Sequence, residues 1–199
     1  MRDSSGNPFF VAPQKKIAAH SPARRSGGAR PSLFNKSFKN TMTMIAEETK
    51  APVFEGIDQN GNPISLNDFK GKKLILYFYP KDDTPGCTAQ ACNLRDNYDA
   101  LINDGYAIIG VSTDPVAKHK KFETKYNLPF SLIADEDKKI VEQYGVWGEK
   151  KFMGKTYDGI TRTTFLINED GIIKKIITKP DTKNHTEEIL NVWKAIEQN

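Results

Sequence analysis

The chain has 199 residues, 27% of them charged, a net charge of +4 and only two cysteines. That length suits one ordinary α/β domain with an appendage. No run of 18 or more apolar residues is present to span a bilayer. Two cysteines are too few for a structural zinc site, and His20, His119 and His185 show no metal spacing. All three histidines read as surface residues, and none sits in a context suited to cysteine proteolysis.

Residues 1–44 differ from the rest. They hold eight basic residues and one acid, Asp3, so this stretch carries +7 and the remainder −3. Ser21-Pro22-Ala23-Arg24-Arg25-Ser26-Gly27-Gly28 typifies it, and such a segment cannot bury enough apolar surface to fold alone. It reads as a disordered basic extension, leaving residues 45–199 as the domain. Three roles fit: an organelle transit peptide, a tail touching nucleic acid or acidic surfaces, or a non-functional extension with Met42 or Met44 as the true start. The third is favoured, which places the protein in the cytoplasm with no specific nucleic-acid or membrane partner.

The domain opens at Ala51-Pro52-Val53-Phe54. Asn60-Gly61 signals an N-terminal hairpin leading to Ile64-Ser65-Leu66. A turn at Asn67-Asp68-Phe69-Lys70-Gly71 precedes a central strand, Lys73–Tyr79. Thr84 then suits a helix N-cap and Pro85 the first helical position. Ala91, Leu94, Tyr98 and Leu101 share one helical face, and Gly105 stops the helix. Tyr106–Ser112 is apolar nearly throughout, as befits a strand buried on both faces of a parallel sheet. Pro115–Tyr126 reads as an exposed helix whose Lys118-His119-Lys120-Lys121 run is a solvated face. Phe130–Ala134 is a strand and Lys138–Tyr144 a short helix.

Val146-Trp147-Gly148 and Lys150–Tyr157 have no clean period and read as a loop beside the site. Trp147, Phe152, Met153 and Tyr157 there offer an apolar entrance or docking face, or simply pack the loop. Thr164–Ile167 and Ile172–Thr178 form a hairpin about Asn168-Glu169-Asp170-Gly171. Asn184–Ile196 closes the chain as an amphipathic helix with Ile189, Leu190, Trp193 and Ile196 inward. Strands alternating with helices, then a hairpin and a helix, describe a mixed central sheet flanked by helices. With the cysteines at a strand-to-helix turn, this is a thioredoxin-like fold.

The chemistry concentrates in Pro80-Lys81-Asp82-Asp83-Thr84-Pro85-Gly86-Cys87-Thr88-Ala89-Gln90-Ala91-Cys92, which contains both cysteines. Cys87 falls in the first helical turn, where unpartnered N–H groups favour thiolate, the nucleophilic form. Gly86 leaves room for a small molecule beside the sulfur. Asp82 and Asp83 oppose the thiolate, so an activated Cys87 requires a cation from elsewhere. After residue 44 the chain has 19 Lys but only Arg95 and Arg162. An arginine in such a lysine-rich domain points to use of its permanent charge and planar fork. Arg162 opens the buried strand Thr161–Ile167 and is the candidate, whereas Arg95 reads as a helix-surface residue.

Pro80-x-x-x-Thr84-x-x-Cys87 resembles the peroxiredoxin active-site pattern Pro-x-x-x-Thr/Ser-x-x-Cys. Cys92, five positions on in the same helix, is similar to the second cysteine of the bacterioferritin comigratory protein, or peroxiredoxin Q, subfamily. Thr161-Arg162-Thr163-Thr164-Phe165 resembles the strand bearing that family's arginine, and the likeness runs from about Ala51 to the C-terminus. It implies a peroxidatic Cys87 that becomes a sulfenic acid and a resolving Cys92 that closes an intramolecular disulfide. Thr84 would then hold the peroxide oxygen, Pro80 shield the sulfur and Arg162 stabilise the departing oxygen. Hydroperoxides as substrates and thioredoxin as reductant are implied, with no metal or organic cofactor, and members of the subfamily are often monomers. A thiol–disulfide oxidoreductase is the alternative, although that class carries Cys-x-x-Cys. A redox-sensing thioredoxin-like module would want further soft ligands.

The spacing adds a mechanical requirement. Residues five apart on an α-helix have Cα atoms roughly 8.7 Å apart, beyond the roughly 7 Å that a disulfide spans. The helix must unwind for the two sulfurs to join.

Overall fold

The computed structural model describes residues 45–198, apart from Met153. The expectations for residues 1–44 therefore lie outside the described residues, as does that for Met153. Strands β1 (Glu55–Ile57) and β2 (Pro63–Ser65) pair antiparallel. Their turn is tied by Asp58, whose Oδ1 accepts the N–H groups of Asn60 and Asn62, both at 2.8 Å. A 3-10 turn at Leu66–Phe69 follows, closed by a reciprocal Ser65–Asp68 capping box.

The main sheet is built from β3 (Lys73–Phe78), β4 (Tyr106–Ser112), β5 (Ser131–Ala134), β8 (Thr163–Ile167) and β9 (Ile173–Ile177), in the spatial order 5-4-3-8-9. The β3–β4 and β4–β5 pairs are parallel, and β3–β8 and β8–β9 are antiparallel. This is the mixed sheet expected from the sequence, and the fold is thioredoxin-like. Side chains alternate along each strand. Leu74, Leu76 and Phe78 of β3 join Ile109, Val111 and Phe165 in one apolar cluster, with Phe54, Val141 and Tyr144 packed on it. Ile75 and Tyr77 face the other way, joining Ile108, Leu132 and Leu166 under Ala91, Leu94, Leu101, Phe122, Ile189 and Trp193.

Those last residues come from α1 (Pro85–Asp96), α2 (Tyr98–Asn103), α3 (Val116–Tyr126) and α5 (His185–Glu197). The short α4 (Lys139–Gln143) lies on the first cluster, and the Asp135 carboxylate accepts the N–H groups of Ile140 and Val141 there. The sequence pattern suggests one helix from Pro85 to Gly105, but the chain breaks at Asn97. Asn97 Nδ2 donates to the Asn93 carbonyl at 2.8 Å. This local side-chain bond competes with the helical ladder.

Three further expectations are corrected. The segment read as a loop is an antiparallel hairpin, β6 (Trp147–Phe152) with β7 (Lys155–Ile160). Its β7 arm is exposed from Lys155 to Asp158 on both faces, so no burial alternation marks it. His119 is fully buried instead of solvated, because Asp82 and the Ile133 carbonyl engage both ring nitrogens. His185 is also fully buried, its nitrogens meeting the Thr164 hydroxyl and the Glu188 carboxylate. No helix among the described residues is long and apolar enough to cross a membrane.

Candidate active site

The β3 strand ends beside β4, where Tyr79 N–H donates to the Val111 carbonyl at 3.1 Å, and the chain then leaves the sheet at Pro80. Asp83 takes a left-handed conformation (φ 60°) that turns the backbone into α1, a region aspartate tolerates better than most residues. Thr84 is the N-cap, yet its hydroxyl makes no capping bond and donates to the Lys81 carbonyl at 3.0 Å. The helix begins with Thr88 N–H on the Thr84 carbonyl at 2.8 Å. Pro85 occupies the first position, where its missing N–H costs nothing.

Cys87 follows in the first turn, 2% exposed, in the apolar cluster with Tyr77 and Tyr79. Arg162 arrives from the segment between β7 and β8. Its Nη2 donates to Cys87 Sγ at 3.1 Å and its Nη1 to Gln90 Oε1 at 2.6 Å. One planar fork thus holds the sulfur and a fully buried amide together, which a lysine ammonium could not do in the same geometry. Gly86 lies against this fork, where a Cβ would meet Arg162 Nη2 at 3.4 Å, an ordinary contact.

The two aspartates that oppose negative charge on sulfur are both engaged elsewhere. Asp82 is buried, with Oδ2 at 2.7 Å from His119 Nδ1 and Oδ1 accepting the Tyr79 hydroxyl at 2.7 Å. Its backbone N–H donates to Asp114 Oδ2, which ties this loop to the end of β4. Asp83 accepts from Lys125 Nζ at 2.7 Å and from the Tyr126 hydroxyl at 2.6 Å. Those two bonds hold its carboxyl below the usual carboxylate range.

Two more groups interact electrostatically with Cys87. Lys150 of β6 donates to the Ile160 carbonyl at 2.7 Å, two residues before Arg162. Burial, and next the Arg162 charge, push its ammonium below the usual lysine value, while Cys87 opposes this. Tyr77 has a buried hydroxyl with no hydrogen-bond partner among the described residues. Burial first, then the charges of Asp82 and Cys87, push its phenol well above the usual tyrosine value. It therefore stays neutral against the site.

Cys92 lies half-buried on the same helix, and both cysteines are free thiols. Burial raises the Cys92 thiol above its ordinary value, Arg95 partly opposing. Arg95 is more engaged than a surface residue, since its Nη1 donates to the Tyr126 carbonyl at 2.7 Å. Pro80 is exposed beside this assembly.

The sequence brings Pro80, Thr84, Cys87 and Cys92 together by adjacency, and the fold adds Arg162. Gln90 and Lys150 escape a reading of the sequence. Gln90 stands three residues after Cys87, on the same helical face, but only the distant arginine gives it a purpose. A cavity of about 200 Å³ lined by Lys50, Val53, Phe69 and Gly171 contains none of these residues. Among the described residues no group of three or more His, Cys, Asp and Glu converges as metal ligands.

The model of the AhpC/TSA family matches residues 48–176, more than half of the chain. Peroxiredoxin Bcp of Escherichia coli is 51% identical over 141 residues, covering 71% of this chain and 90% of that protein. Among solved structures, the Xanthomonas campestris bacterioferritin comigratory protein, described by its alkyl peroxide reduction activity, has a TM-score of 0.67 at 32% identity. It covers 71% of this chain and 90% of its own. Peroxidoxin BcpB of Mycobacterium tuberculosis has a TM-score of 0.65 at 31% identity, covering 76% of this chain and 99% of its own. The chain belongs to the AhpC/TSA family, among relatives that are Bcp and peroxiredoxin Q proteins.

Proposed function

We propose that the protein is a thiol peroxidase that reduces hydrogen peroxide and organic hydroperoxides through Cys87. The observation that carries this is the guanidinium of Arg162 at 3.1 Å from a buried sulfur in the first turn of a helix. Negative charge on that sulfur is stabilised by the guanidinium and by helix N–H groups, and the same groups face the oxygen that departs. The Cys87 thiolate attacks one peroxide oxygen, the O–O bond breaks, and the alcohol or water leaves with a proton. Cys87 becomes a sulfenic acid.

Thr84, the N-cap three residues before Cys87, orients the peroxide through its hydroxyl, and Pro80 limits water at the mouth. The alkyl peroxide reduction activity of the Xanthomonas campestris relative supports organic hydroperoxides as substrates. Cys92 then condenses with the sulfenic acid once α1 unwinds, giving an intramolecular disulfide and water. A thioredoxin-type dithiol restores both thiols by exchange. We place this activity in residues 45–199, acting as a cytoplasmic monomer.

The test is peroxide consumption coupled to thioredoxin and its reductase. Cys87→Ser should lose the reaction even in a single turnover. Cys92→Ser should react once and stop at a sulfenic acid. Wild-type peroxide reactivity in Cys87→Ser would overturn the nucleophile, and disulfide reduction without peroxide reduction would favour an oxidoreductase.

A further inference from the structure

Helix α1 carries both cysteines and is held at both ends. At its start, Arg162 and Gln90 fix the Cys87 turn. Its second half is fixed by Asn93, the residue next to Cys92. Asn93 Nδ2 donates to the Lys183 carbonyl at 2.8 Å, and Asn93 Oδ1 accepts the Thr186 N–H at 2.8 Å. The Thr186 hydroxyl adds a bond to the Asn93 carbonyl at 3.3 Å.

These contacts do for α5 what its own N-cap does not. Asn184 makes no side-chain capping bond. The N–H of Thr186, in the first turn, belongs to the set with no intrahelical acceptor, and Asn93 supplies that acceptor from another helix. Thr186 is 5% exposed, so water does not readily replace it. The neighbouring His185 continues the chain of bonds to the Thr164 hydroxyl on β8 at 3.0 Å, two residues from Arg162.

We propose that Asn93 is a positioning residue for the resolving step, a latch that keeps the Cys92 half of α1 wound and thereby sets how fast the disulfide closes. The proposal rests on the peroxidase reading. Closure forms the S–S bond, breaks the S–O bond of the Cys87 sulfenic acid, and releases the Cys92 proton with the hydroxyl as water. A second hydroperoxide competes for the same sulfenic acid, taking it to sulfinic acid and leaving as alcohol or water. Each turn of α1 held by the latch prolongs the sulfenic acid and favours that second oxidation.

Removing two side-chain hydrogen bonds should shift the wound-to-unwound balance by about tenfold. The experiment treats reduced full-length protein with one equivalent of hydrogen peroxide and follows the disulfide by acid quench and mass spectrometry. Sulfinic acid at excess peroxide is measured in parallel. Relative to the rate of Cys87 oxidation, Asn93→Ala should close the disulfide about tenfold faster and accumulate about tenfold less sulfinic acid. Asn93→Asp keeps an acceptor for Thr186 N–H and should stay within about threefold of wild type. Thr186→Val, which loses one donor, should close about threefold faster.

Wild-type closure and sulfinylation in both Asn93→Ala and Thr186→Val would overturn the latch and leave the peroxidase reading intact. A wild-type protein that consumes peroxide without ever joining Cys87 to Cys92 would overturn the resolving role of Cys92, and the latch with it.

Discussion

Gln90 offers a sharp separation of activity from stability. Its Oε1 accepts Arg162 Nη1 at 2.6 Å, while its Nε2 is buried with no hydrogen-bond partner among the described residues. A bond to a charged donor contributes about 1.5–3 kcal/mol, and a buried unsatisfied amide costs about 1–3 kcal/mol. Gln90→Met keeps the side chain's length, removes the acceptor and removes the orphan donor at once. Because Arg162 is half-exposed, water replaces part of the lost bond, so the lower figure applies. The guanidinium loses one of its two anchors beside Cys87. The second-order rate of Cys87 oxidation should fall roughly tenfold, the equivalent of about 1.4 kcal/mol. The melting temperature should hold or rise, since the two stability effects nearly cancel. Stopped-flow oxidation with hydrogen peroxide and calorimetry on one preparation supply both numbers. A rate within twofold of wild type would refute the positioning of Arg162 by Gln90. A rate and melting temperature that fall together would show Gln90 to be only structural.

Two further outcomes follow from packing and burial. A Cβ on Gly110 of β4 would sit 2.7 Å from Tyr77 Cζ and Oη and 2.8 Å from Leu132 Cδ2, so Gly110→Ala should cost about 1–3 kcal/mol. Calorimetry should show a melting temperature lower by roughly 3–10 °C, and an unchanged value would mean that the Tyr77 ring yields freely. Burial lowers His185 below the ordinary value of 6.5, with Glu188 opposing. Below that value the unfolded chain binds a proton that native His185 refuses, so stability rises with pH through this window and is complete above it. Urea unfolding at pH 8 and pH 5.5 should show the loss at the lower pH, and His185→Gln should flatten the difference. An equal slope in that variant would assign the pH dependence to other groups.

Much of the site is legible in the sequence because it is local. Pro80, Thr84, Cys87 and Cys92 follow one another across a strand-to-helix turn. Arg162 stands out because lysine is this domain's usual cation, so a distant residue is found by its scarcity. Gln90 has no such signal, since glutamine on a helix is ordinary and its acceptor role exists only opposite Arg162, 72 positions away. His119 takes on the character of the lysines around it in the sequence, although its partner Asp82 lies 37 positions earlier. A buried polar residue is recognised by its partner, and pairing across the fold leaves no local pattern. Lys150 sits on a hairpin whose other arm is exposed from Lys155 to Asp158, so the period of two that betrays β3, β4 and β8 is absent there. The Tyr77–Gly110 fit is likewise a matter of register between adjacent strands, where a large ring needs a missing side chain opposite it.

The balance inside α1 explains why a helix can serve this site at all. Of its twelve residues, only Cys87, Gln90, Ala91 and Leu94 are buried. Leu94 is the one large aliphatic among them, contributing about 1.5–3 kcal/mol by its burial. By contrast α5 buries Ile189 and Trp193, with Leu190, Val192 and Ile196 partly covered. The first helix is therefore held less by apolar area than by polar contacts at Gln90, Asn93 and Arg95. Polar contacts of this kind are directional and each contributes modestly, so the helix should open at a fraction of the global stability. A greasier α1 would fix Cys87 equally well against Arg162, but it would keep Cys92 out of reach, about 8.7 Å away between Cα atoms. Under the proposed peroxidase cycle, the modest apolar face of α1 would reconcile a firmly placed Cys87 with a Cys92 that the same helix has to unwind to deliver.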